Sequence, residues 1–97
     1  MAVGDTVSGI VSVASAGYLD IKPTGTEEWI IHNIYVPSNV SAEIYYSDGT
    51  NDILIDSSAG GGWYGFTFHC TATYYLRVKN LDANAQYIGY DGVVTKV

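Results

Sequence analysis

"SSAGGGWYGFTFHC", Ser57 to Cys70, sets three consecutive glycines in front of two large aromatics, and how it is read decides the fold. A loop that cradles phosphate needs glycines spaced G-x-x-x-x-G-K-S/T or G-x-G-x-x-G, with a strand before and a helix after to supply anion donors. Here the glycines are contiguous, no lysine follows, and Tyr64 to Thr71 alternates as a strand. The alternation puts Tyr64, Phe66, Phe68 and Cys70 on one face, expected to be buried, and Gly65, Thr67 and His69 on the other. Gly60 to Gly62 is then a crossing from one sheet to another, with Trp63 packing over the end of the sandwich or into a neighbouring subunit.

On either side the chain keeps to short, β-branched and aromatic segments, and nowhere do apolar residues recur at helical spacing. Thr6 to Val13 alternates, and Tyr18 to Lys22 ends at Pro23, which has no N–H for a ladder. Glu28 to Val36 carries Trp29 and Ile31 on one face and Ile30, Ile34 and Val36 on the other, the pattern of a central strand covered on both sides. Val40 to Tyr46 and Asp52 to Asp56 flank Asp48-Gly49-Thr50-Asn51, a hairpin turn in which Gly supplies positive φ. Tyr74 to Lys79 and Gln86 to Tyr90 are further strands, and Asp91-Gly92 reads as a last tight turn before "VVTKV". About eight strands with turns every 8 to 12 residues predict an all-β, jelly-roll-like sandwich, one domain over residues 1–97.

Composition narrows the function classes. Ten acidic residues against four basic ones give a net charge of −6, and only 14% of residues are charged. Four scattered bases cannot release the counterions that drive nucleic-acid binding, and an anionic membrane is disfavoured for the same reason. The N-terminus lacks the basic and continuous apolar regions of a signal peptide, so synthesis in the cytoplasm is expected. Nine Tyr, two Trp and two Phe in so weakly charged a chain suggest surface that ends against something other than water. Trp29, Tyr45, Trp63, Tyr64 and Tyr75 are the expected interface residues. They would bury against copies of this chain around a symmetry axis or, alternatively, stack on a glycan.

No catalytic constellation emerges. His32 and His69, with Glu27, Glu28 and Glu43, lack the His-x-His spacing by which alternate strand positions reach one metal. His69 and Cys70 are neighbours on a strand and point to opposite faces, so they form no dyad. Asp48, Asn51 and Asp52 do not follow the calcium-loop spacing. A single Cys70 closes no disulfide. No enzyme activity, metal or cofactor is therefore expected.

From Gly17 onward "YLDIKPTGTEEWIIHNIYV", "AEIYYSDGTNDILIDS", "YYLRVKN" and "IGYDGV" resemble small virion structural proteins of tailed bacteriophages, of the capsid decoration, cement or head-fibre kind. The resemblance implies a homotrimer located in the virion that binds the major capsid protein and performs no chemistry. It offers no motif whose residues carry over one by one. A related alternative is a carbohydrate-binding or receptor-binding module of a phage fibre.

Overall fold

A computed structural model describes residues 1–97 as eight strands and no helix: β1 (Thr6–Val13), β2 (Tyr18–Ile21), β3 (Glu28–Tyr35), β4 (Ala42–Ser47), β5 (Asp52–Ser58), β6 (Trp63–Cys70), β7 (Tyr75–Asn80) and β8 (Gln86–Lys96). They form two antiparallel sheets, the first in the order β1, β8, β3, β6 and the second in the order β2, β7, β4, β5. The pairing is nested: β4 pairs with β5, β3 with β6, β2 with β7 and β1 with β8. One long hairpin has been rolled so that its limbs fall in two packed sheets, which is the jelly-roll arrangement.

The tip of that hairpin is the turn predicted at Asp48 to Asn51. Gly49 has φ +92°, and Asp48 Oδ1 accepts from the backbone N–H of Thr50 at 2.9 Å and of Asn51 at 2.6 Å. The Asp side chain thus satisfies the donors that a two-strand turn leaves open. Gly60 to Gly62 carries the chain from β5 in the second sheet to β6 in the first, as the sequence suggests. Gly61 takes φ +85°, and a Cβ on Gly60 or Gly62 would collide with the carbonyl oxygen of Ser38 or Ile34. The glycines are there for close backbone approach, and the phosphate-loop geometry is absent.

Seventeen buried apolar residues form one cluster between the sheets, with Ile21, Ile31, Ile34, Ile44 and Ile88 fully enclosed. The two-faced reading of β3 is corrected by a β-bulge. Both ladders of β3 shift register between Ile31 and Asn33, leaving His32 as the extra residue. One extra residue reverses the alternation, so Trp29, Ile31, Ile34 and Val36 all reach the same core and the outer face of β3 stays open. The turn expected at Asp91-Gly92 is also corrected, because β8 runs unbroken through it. Asp91 pairs with Ser8 on one side and Asn33 on the other, and a Cβ on Gly92 would strike the Ile30 carbonyl oxygen. Gly92 admits a close neighbour rather than a bend.

β5 and β6 are the edge strands on one side of the sandwich. β5 leaves Ile53, Leu54 and Ile55 exposed at 64%, 51% and 45%. It pairs only with β4, so its other edge presents unpaired backbone groups beside three aliphatic side chains.

Candidate functional site

The five aromatics expected at an interface separate into two groups. Trp29, Trp63 and Tyr75 are buried at 7%, 5% and 7% exposure, so the surface expected of them is used inside this chain. The Trp63 indole N–H donates to Asp56 Oδ2 at 2.9 Å and the ring joins the core, which places it over its own sandwich. The Trp29 indole donates to Glu27 Oε1 at 3.0 Å, and Lys22 Nζ lies 5.0 Å from the Tyr75 ring centroid. Tyr45 and Tyr64 keep accessible surface.

Tyr45 lies on the second sheet beside a polar cluster. Arg77 donates to Asp20 at 2.7 Å and Asp52 at 3.0 Å, and its guanidinium lies 4.0 Å from the Tyr18 ring centroid. Tyr45 packs edge-on against Tyr18 and donates to Glu43 Oε1 at 2.6 Å. That hydrogen bond, with some burial, pushes the Tyr45 phenol up to about 12. The Arg77 guanidinium and the Tyr45 hydroxyl are thus both engaged within this face.

Tyr64 sits elsewhere, and its face differs from the sequence expectation. Between the Ile31–Phe68 and Asn33–Tyr64 pairs β3 has one extra residue, His32, while β6 has three, Gly65 to Thr67. Gly65 takes φ +74° and its N–H donates to Asn33 Oδ1 at 2.9 Å, and His32 Nδ1 lies 3.0 Å from the Phe66 carbonyl oxygen. The irregularity flips the alternation, so Cys70 stays in the core while Tyr64 turns outward and Phe66 is left exposed. Burial pushes the Cys70 thiol up to about 11, as suits an inert core side chain.

Outward on the first sheet, Tyr64 joins a hollow that no motif announces. Gly89, on the central strand β8, pairs with Ile10 of β1 and Tyr35 of β3. A residue without a side chain between two large ones makes a trough whose walls are Ile10 and Tyr35. Two adjoining concavities share those walls: one of about 410 Å³ reaching Ser8, Gly9, Tyr90 and Asp91, and one of about 310 Å³ reaching Tyr64, Tyr87 and Pro37. Ile10 is 79% exposed and Tyr87 68%. The Tyr35 and Tyr64 rings are 5.7 Å apart and tilted.

The polar end of the trough is fixed in place. Asp91 Oδ1 accepts from Asn33 Nδ2 at 2.8 Å and Oδ2 accepts from the Tyr35 hydroxyl at 2.7 Å. The bond to Asp91 raises the Tyr35 pKa above its ordinary value, because losing the phenol proton would put two negative charges against each other. Each carboxylate oxygen retains a further lone pair. Ile10, Tyr35, Tyr87, Gly89 and Asp91 were missed by sequence reasoning, although "QYIGYDG", Gln86 to Gly92, carries a signal: a lone glycine inside a strand rich in tyrosine.

The residues weighed for metal binding are dispersed. His69 Nε2 meets Glu28 Oε1 at 2.8 Å, Lys96 Nζ approaches Glu28 Oε2 at 3.4 Å, and Glu27 is held by Trp29 and the N-terminal amine. No three His, Cys, Asp or Glu side chains gather closely enough to hold an ion. No protein-family model matches the chain, and no curated protein matches its sequence.

Proposed function

We propose that this chain is a non-enzymatic structural protein of a phage virion, a homotrimeric capsid decoration or cement protein that clamps neighbouring capsid subunits by burying surface. The observation that carries the reading is β5. An edge strand with Ile53, Leu54 and Ile55 all exposed and no Lys or Pro along it invites a partner surface, and the bulge at Ile55, where the β4 ladder shifts register, leaves that aliphatic surface uncovered. Asp52 and Asp56, which flank those residues, are already engaged by Arg77 and Trp63, so they oppose docking less than free carboxylates would. A core of 17 residues is small, and burying the β5 and β6 flank against copies of the chain would add to it.

Light scattering of the purified protein is the test. A trimer mass is expected, falling to the monomer in the double variant Ile53→Lys, Ile55→Lys with its far-ultraviolet circular dichroism unchanged. A strict monomer at high concentration would sink the self-assembly reading. The capsid half is tested by co-sedimentation with capsids lacking the protein, where retention of wild type and loss of the variant are expected.

A further inference from the structure

We infer that the Gly89 trough on the first sheet is a binding site for a neutral saccharide. The reading does not rest on assembly: β5 lies at the edge of the other sheet, and of the trough's lining only Tyr64 stands on the neighbouring edge strand β6. Its two concavities, about 410 and 310 Å³, fall within the ~300–1,000 Å³ typical of small-molecule sites. A pyranose offers an apolar C–H face and a rim of hydroxyls, and the trough divides in the same way. Tyr64, Tyr87 and Ile10 supply exposed apolar surface at one end, while Asp91 and Ser8, paired across β1 and β8, supply acceptors and a hydroxyl at the other. Asn33 and the Tyr35 hydroxyl hold the Asp91 carboxylate before any ligand arrives, which lowers the ordering cost of binding.

Charge selects the class. Lys22, Arg77 and Lys79 lie against Tyr75 and Tyr18 of the second sheet's strands or their flanks, and Lys96 is drawn to Glu28 at the far end of β3 from Tyr35. No cation reaches the trough, and its one charged group is a carboxylate. Sialylated, sulfated or phosphorylated ligands would meet repulsion without compensation. A proline-rich peptide is the other chemistry that aromatic grooves accept, but it gives the half-exposed Asp91 carboxylate little to do.

The test is a ¹H–¹⁵N titration of the full chain with lactose, maltose, cellobiose and N,N′-diacetylchitobiose at millimolar concentrations. Saturable shifts confined to amides around Ile10, Gly89 and Asp91 are expected with at least one of them. Tyr87→Ala should weaken that binding about tenfold or more while the remaining spectrum stays dispersed, and Tyr45→Ala on the other sheet should leave it unchanged. Absence of any saturable shift at the trough overturns the assignment. So does equal binding of sialyllactose, or binding of a proline-rich peptide with none of the sugars.

Discussion

Asn80 shows what one buried polar side chain does for this fold. It is fully enclosed at the end of β7, its Nδ2 donates to the carbonyl oxygens of Val13 at 2.9 Å and Asn84 at 3.0 Å, and its Oδ1 accepts from the Asp82 N–H at 2.8 Å. The cluster "NLDANA", Asn80 to Ala85, is recognisable as a turn, but which member organises it depends on the distant Val13. Asn80→Leu should therefore cost about 1–3 kcal/mol, because it strands a buried carbonyl and an N–H at once. Chemical denaturation read by tryptophan fluorescence measures it. A midpoint equal to wild type would show that water replaces those bonds without loss. Trp29, Trp63 and Tyr75 illustrate the same limit from the other side. Residue type marks them as large and amphipathic, and only the packing reveals that all three are enclosed.

At the scale of elements, strand positions and all turns but the one expected at Asp91-Gly92 were legible, because β-branched runs and Gly, Pro and Asp punctuation are local signals. Facing was legible only up to the first irregularity. The bulge at His32 and the loop from Gly65 to Thr67 lie opposite one another, and each shifts every later residue by parity. Ile34 therefore joins the face of Ile31, and Tyr64 leaves the face of Cys70. The trough owes the outward facing of Tyr35 to the first shift and that of Tyr64 to the second, which is why its residues were not assembled beforehand. The glycine crossing gives the sharpest test of an element. Gly62→Ala should abolish the native fold, since the Ile34 carbonyl oxygen is backbone and cannot move aside, whereas Gly25→Ala faces open space and is strained only by its φ of +60°. Circular dichroism and amide dispersion distinguish the two. A folded Gly62→Ala would mean that the β5 to β6 crossing has another path.

For the whole molecule, acid should loosen the sandwich. Glu28 is held below the usual carboxylate range chiefly by its hydrogen bond with His69, Asp48 by the N–H groups of Asn51 and Thr50, and Asp82 by Gln86. Their folded pKa values lie below the unfolded ones, so the stability they contribute is fully present above about pH 5 and is lost as pH falls through the lower folded values. The urea midpoint should fall between about pH 5 and pH 3, and Asp48→Asn should flatten that fall. A midpoint that holds steady would show the three bonds survive in the unfolded ensemble. The nested pairing has its own consequence in time. β1 has one partner, β8, with Thr6 opposite Val93, so β1 stays unpaired until nearly all of β8 has left the ribosome. Val7 and Val13 have no sheet to enter in the interval. The molecule closes late, after translation of the whole β1 to β8 span, and slow synthesis gives it no head start.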